Sequence, residues 1–363
     1  MDIHTICCKR HISSYIIVDR ETSFGALIDA PDFESIKNEL NQLHPIPKIT
    51  KIFLTHSHYD HSLGVVDFIP ELIRRAELQI EDEKCKDISI YIGKAEVESF
   101  SSKFPSSILK HLSAIDEHSI ITIGSGIEVR PIPTPAHSEG HMCFHCIPIH
   151  SNIDSFSSHN QHFITSSCFE SFSDSASTSS ASPFSFAPYL TSTASPTSFS
   201  TPSQQSLLLP QPPTSVVFSG ESLLSGGGIG DFKMDKAEQA FSDLQALKKL
   251  SEQFQNAQLF SGRDETINFL SWAKYYLEQE QATCIKLGSA LPPQQENILS
   301  YINSSLDSKS GETKQTHNSL LRDEISHSLF CQAKNLEEFC KLCTSLKSYF
   351  ELTREEHIHL LCE

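Results

Sequence analysis

A buried strand that runs straight into a histidine cluster constrains this chain more than any other feature. Lys51-Ile52-Phe53-Leu54-Thr55 reads as a compact buried strand, and His56-Ser57-His58-Tyr59-Asp60-His61 follows with no intervening spacer. Four residues able to hold a metal therefore fall within six positions. Polar side chains at the C-terminal end of such a strand have no apolar packing role. They open onto the crevice where α/β sheets hold ligands. His56 and His58 alternate as strand residues do and can face one ion, while Asp60 and His61, beyond the turn, can face a second. Imidazole and carboxylate together suit zinc or iron.

Two further loops supply ligands of the same kind. His137 lies in Thr134-Pro135-Ala136-His137-Ser138-Glu139-Gly140-His141, just after an expected strand. Glu221 lies in Phe218-Ser219-Gly220-Glu221-Ser222-Leu223, just after another. Three strand ends thus deliver the donors of a dinuclear centre. Its use would be a metal-bound hydroxide, because a bound ion brings water's pKa to about 7.

Around these loops the pattern is α/β. Ser14 to Asp19 and Gly25 to Asp29 read as paired strands, and the stretch from Phe33 to Leu43 as a helix that Asp32 can cap. Two strands flank the Gly124-Ser125-Gly126 turn, another begins at Met142, and Ser215 to Gly220 is one more. Residues 151–213 are dominated by serine, with Thr, Pro and scattered Phe and no period. Such a segment buries too little apolar surface to offset its ordering entropy, so a disordered insertion is expected there. Helical spacing takes over near Lys236 and again beyond Gly262. The expected organisation is an α/β core over residues 1–150 and 214–262, the insertion at 151–213, and a helical subdomain at 263–363.

A net charge of -17 argues against a nucleic-acid surface, which needs a Lys/Arg excess. No apolar run reaches the ~20 residues of a membrane span. The opening Met1-Asp2-Ile3-His4 has no signal-like pattern, so a cytoplasmic location is expected. Most of the 11 cysteines read as small buried hydrophobes. The oligomeric state is not readable.

The HxHxDH cluster, the TPxHSxGH loop and the Gly220-Glu221-Ser222 segment resemble the metallo-β-lactamase superfamily, and the whole pattern resembles glyoxalase II (hydroxyacylglutathione hydrolase). Ser261-Gly262-Arg263-Asp264-Glu265-Thr266 is similar to that family's GHEYT segment, and residues 318–330 to its C-terminal substrate-binding helix region. The resemblance spans residues 3–334 without the insertion. It implies an αββα sandwich with a C-terminal helical subdomain. It also implies one or two zinc ions, with iron or manganese accepted by the same ligands. His56, His58 and His137 would bind the first ion. Asp60, also the catalytic residue, would bind the second with His61, with Glu221 where the family has a bridging Asp. The implied activity is hydrolysis of a small-molecule thioester, glutathione-derived in the family.

Three positions depart from that pattern. Arg263 stands at the family's last metal-binding His, and a guanidinium cannot ligate a cation. Its charge favours ion pairs with Glu221 or Asp60 instead. Asp231, before Phe232 and Lys233, occupies the place of a basic substrate contact. Gln332, with Lys334 two residues on, falls where the family has a C-terminal Arg. Asp231, Phe232, Lys233 and Lys334 are therefore the candidate substrate-binding residues. Three functions compete: a thioester hydrolase, a non-catalytic metal-binding descendant, and an iron-dependent persulfide dioxygenase built on His56, His137 and Glu221.

Overall fold

The computed structural model describes residues 1–78, 87–149, 215–309 and 319–362. The insertion expected at 151–213 lies outside the described residues. Those described belong to one compact unit formed by Met1–Ser151 and Pro213–Glu363.

Strands β1 (Asp2–Cys7), β2 (Ser13–Val18), β3 (Phe24–Ile28), β4 (Lys48–Leu54), β5 (Ser89–Gly93) and β6 (Leu112–Ile115) form one sheet in chain order. Strands β7 (Ile121–Ile123), β8 (Ile127–Pro133), β9 (Met142–Pro148), β10 (Val216–Gly220), β11 (Gln258–Ser261) and β12 (Ser319–Leu320) form the second, also in chain order. Helices α1 (Phe33–Gln42), α2 (Tyr59–Ser62), α3 (Val65–Leu78), α4 (Val97–Ser101) and α5 (Ser106–Leu109) accompany the first sheet in sequence. The second is accompanied by α6 (Ala237–Gln253), α7 (Thr266–Lys286), α8 (Pro293–Lys309), α9 (Leu321–His327), α10 (Leu329–Gln332) and α11 (Leu336–Cys362).

Three apolar clusters show how these layers stack. Tyr15, Ile17, Phe53, Phe144, Phe218 and Phe260 meet between the two sheets. Ile16, Leu27, Ile52, Leu54, Phe68 and Ile90 pack the first sheet on α1 and α3. Val217, Leu259, Leu247, Trp272, Phe330 and Phe339 pack the second sheet on α6 and the C-terminal helices. Period-2 alternation within each strand feeds two clusters at once: Phe53 points one way, Ile52 and Leu54 the other. All three are fully buried, which is why the last three residues of β4 are continuously apolar and do not alternate. The result is an αββα sandwich.

Strand β4 pairs in parallel with both β3 and β5, so its C-terminal end opens directly onto residues 55–61. Asp32 caps α1 by accepting from Ser35 N–H at 2.9 Å, as its sequence position suggests. The helical stretch expected beyond Gly262 begins with α7, which runs from Thr266 to Lys286, and the helix region at 318–330 divides into α9 and α10 around Ser328. No helix among the described residues is long and apolar enough to cross a membrane.

His145 on β9 is 2% exposed, packs its ring edge-on against Phe254, and has an Nε2 with no hydrogen-bond partner. Burial, aided by the Arg130 charge, holds its pKa down at about 4, from an ordinary 6.5. The unfolded chain therefore takes up a proton that the folded chain refuses, and stability falls as pH drops from 6.5 towards 4. Unfolding midpoints measured at pH 7 and pH 4.5 should show this loss, on the order of 2 to 3 kcal/mol. His145→Leu should reduce it.

Candidate metal centre

The site is assembled at the ends of β4, β8, β10 and β11. The turn leaving β4 delivers His56, His58, Asp60 and His61. The loop between β8 and β9 carries His137, Glu221 follows β10, and Arg263 follows β11. Gly220 is needed where β10 ends. It has a φ of +53°, and a Cβ there would lie 2.6 Å from His141 Nε2.

His56, His58 and His137 converge. His137 Nε2 lies 3.3 Å from His56 Nε2 and 3.1 Å from His58 Nδ1. Two nitrogens bound tetrahedrally to one zinc at about 2.05 Å stand roughly 3.3 Å apart. Both His137 contacts already have that spacing, and all three donor atoms lie within 4.8 Å of one another. The outer nitrogens explain which atoms face inward. His137 Nδ1–H donates to the Asp231 carbonyl at 2.6 Å. His56 Nδ1–H donates to Thr55 Oγ1 at 3.0 Å, and the Thr55 hydroxyl passes its own proton to Asp29 Oδ2 at 2.9 Å. Each bond fixes a tautomer that leaves an Nε2 lone pair free for an ion. Burial and the neighbouring imidazoles hold the His56 pKa well below its ordinary value, and burial with His137 lowers that of His58. Neutral imidazoles are what a cation requires.

The neighbouring half-site is arranged differently. His61 is fully buried. Its Nδ1–H donates to Asp29 Oδ2 at 2.9 Å and its Nε2–H to Glu221 Oε1 at 3.0 Å. Burial opposes the charge, but the two carboxylates outweigh it and raise the His61 pKa. Arg263 Nε–H donates to the same Glu221 oxygen at 2.6 Å, and its terminal nitrogen to Asp60 Oδ2 at 2.5 Å. His56, Asp60 and His61 lie close enough to share an ion, with donor atoms within 4.8 Å of one another. Yet with both its nitrogens donating to carboxylates, His61 offers no lone pair in this arrangement. The half-site is instead a closed network of three carboxylates and two cations. Asp60 is ionised within it. Burial works against that charge, but His61 and Arg263 prevail and lower its pKa.

Four supporting residues are not among the candidate ligands. Asp29 is 1% exposed at φ 54°, a left-handed conformation that Asp tolerates better than most residues. It braces both Thr55 and His61. Glu96, 4% exposed, accepts from Ser57 N–H at 3.1 Å and Gly140 N–H at 3.2 Å, tying together the loops that carry the three histidines. His141 accepts from Glu221 N–H at 3.1 Å and sits against Thr134 Oγ1 at 2.9 Å, so it positions β10's end and offers nothing to an ion. Thr55 reads in the sequence only as the end of a strand.

The candidate substrate residues are scattered. Asp231 is exposed and meets the site through its carbonyl, and Phe232 packs near Phe339 with ring centroids 6.2 Å apart. Lys233 and Lys334 are exposed, and Lys334 N–H donates to Glu338 at 2.9 Å. None of the described contacts joins either lysine to the histidines. Gln332 is engaged with Gln294 and the Ile325 carbonyl.

No family model matches the chain. It is 25% identical over 145 residues to the cytoplasmic hydroxyacylglutathione hydrolase of Arabidopsis thaliana, covering 40% of this chain and 46% of that protein. It is 27% identical over 132 residues to the Bacillus subtilis protein named "Probable polyketide biosynthesis zinc-dependent hydrolase PksB", covering 36% and 48%. The chain thus spans about half the length of the curated relatives it matches. A metallo-β-lactamase from Staphylococcus aureus superposes with a TM-score of 0.50 at 14% identity, over 96% of this chain and 71% of that one.

Thr55→Val removes the acceptor for His56 and the donor to Asp29 while keeping the side chain's shape. Zinc affinity, measured by chelator competition, should fall about 10- to 100-fold. Thr55→Ser should retain most of it.

Proposed function

Starting from a chain with the metallo-β-lactamase fold and a glyoxalase II-like sequence, we propose a metal-dependent hydrolase that holds one ion and acts on a small-molecule thioester. The observation that carries this reading is the trio His56, His58 and His137, preset at zinc spacing beside a half-site closed by Arg263. The donor set fits zinc, the metal named for one of the relatives, and iron or manganese accept the same residues. When bound, such an ion lowers the pKa of its water ligand to about 7 and polarises a carbonyl oxygen.

The chain's own residues supply the rest. Asp60, anionic at neutral pH and held by Arg263, is the acceptor for a proton leaving water beside the histidines. Arg263 fixes Asp60 in place and neutralises part of the charge gathered by Asp29, Asp60 and Glu221. On this reading Glu221 holds Arg263, His61 holds Glu221, and neither binds a second ion. Asp231, Phe232, Lys233 and Lys334 remain the proposed substrate contacts. The helices from 263 onward form the proposed substrate-binding part of the molecule. A glutathione-derived thioester and a cytoplasmic location belong to the same reading.

The non-catalytic reading has one observation in its favour, since Arg263 already occupies one oxygen of Asp60. The dioxygenase reading needs Glu221 as an iron ligand, and that carboxylate is engaged by His61 and Arg263.

Two measurements test the proposal. The zinc-loaded chain should release thiol from a glutathione thioester, and Asp60→Asn should lower kcat by roughly 10²- to 10⁴-fold. Absence of thiol release sinks the hydrolase, and oxygen consumption with glutathione persulfide would replace it. Arg263→His should raise ion content from a single ion per chain towards two, by elemental analysis.

A further inference from the structure

Asp243 is a buried acid whose described partners include no cation. It lies on the face of α6 that packs against the second sheet, 5% exposed, in line with Ala240, Leu244 and Leu247. Its Oδ1 accepts from Gln239 Nε2 at 2.8 Å, one helical turn earlier. Its Oδ2 accepts from Ala136 N–H at 3.0 Å. Ala136 immediately precedes His137. Asp243 also shares a small cavity with His137, Glu221, Ile229 and Phe232.

Burying a carboxylate without a cation is unfavourable unless hydrogen bonds offset the lost hydration. Burial pushes the Asp243 carboxyl up to about 6, against the lowering pull of its two donors. An apolar side chain would fit a helix face of alanine and leucine at no such cost. What Asp243 does that an apolar residue cannot is grip the main chain at Ala136.

His137 is held on its other side as well. The Asp231 carbonyl receives its Nδ1–H, and Gly230 N–H is fastened to the Glu221 carbonyl at 2.8 Å. The ring's direction is set from one flank and its backbone from the other.

We propose that Asp243 is a positioning residue for the metal centre, fixing the backbone from which His137 reaches the ion. The inference rests on the metal reading above and adds a side chain that lies outside the ligand loops. An amide can do the same work: Asp243→Asn would keep an acceptor for Ala136 N–H, and Gln239 can turn its own amide to meet the new donor. Alanine cannot.

The test is a titration of cobalt(II) alone into the full chain, into Asp243→Ala and into Asp243→Asn, following the visible ligand-field band. The alanine variant should bind cobalt about 10- to 100-fold more weakly with a shifted band, and the asparagine variant should restore both. Should the alanine variant not fold, Asp243→Ser, whose hydroxyl is one atom too short to reach Ala136, takes its place. Cobalt binding and a spectrum unchanged in the alanine or serine variant would overturn the positioning role. An asparagine variant as weak as alanine would overturn the hydrogen-bond account. A wild-type chain that binds no cobalt would overturn the metal reading itself, and this inference with it.

Discussion

Arg263 reaches Glu221 through Nε and Asp60 through a terminal nitrogen, and the character of the whole site follows from that pair of bonds. Asp29, Asp60 and Glu221 bring three carboxylates to one place, and Glu221 is 3% exposed. Anions gathered that closely in a poorly solvated pocket need compensation. A second metal could provide it; on the reading proposed above, His61 and Arg263 do so in its place. Removing the arginine would leave buried charge unpaired, which is far more costly than the pair is worth intact. On this account Arg263 is a structural cation built into the chain.

The two halves of the site therefore obey different electrostatics although they share one turn. His56 and His58 are surrounded by groups that hold their pKa values down, and bonds at the outer nitrogens of His56 and His137 direct their lone pairs inward. His61, three positions from His58, lies between two carboxylates and is driven to the charged form. Asp29 serves both halves, orienting His56 through Thr55 and accepting directly from His61. A single buried acid at the end of β3 thus couples the histidine trio to the charged network.

Much of this was legible in the sequence, and the reasons differ by element. The strand before His56 could be read because a segment buried on both faces must be continuously apolar. The ligands His56, His58 and His137 could be read because polar residues clustered at strand ends have few structural uses. Arg263 stood out because its side chain cannot do what the resemblance asks of that position. Strands β1, β5 and β11 were not legible: β1 is a half-buried edge, and β5 and β11 are short. Helix α8 begins at a proline and is rich in Gln, Asn and Ser, so its period is faint. Asp29, Glu96 and Asp243 escaped notice because a buried acid in isolation looks like any other Asp or Glu. Their role exists only in partners 26 to 107 positions away in the chain.

The central claim is that a side-chain cation, and not a second metal, closes the half-site next to the histidine trio. The most direct test is an anomalous-difference map at the zinc edge, from crystals of the wild-type chain grown with zinc in excess. The account predicts one peak, among His56, His58 and His137, with Arg263 still bridging Asp60 and Glu221. A second peak among Asp60, His61 and Glu221, with Arg263 swung aside, would contradict it.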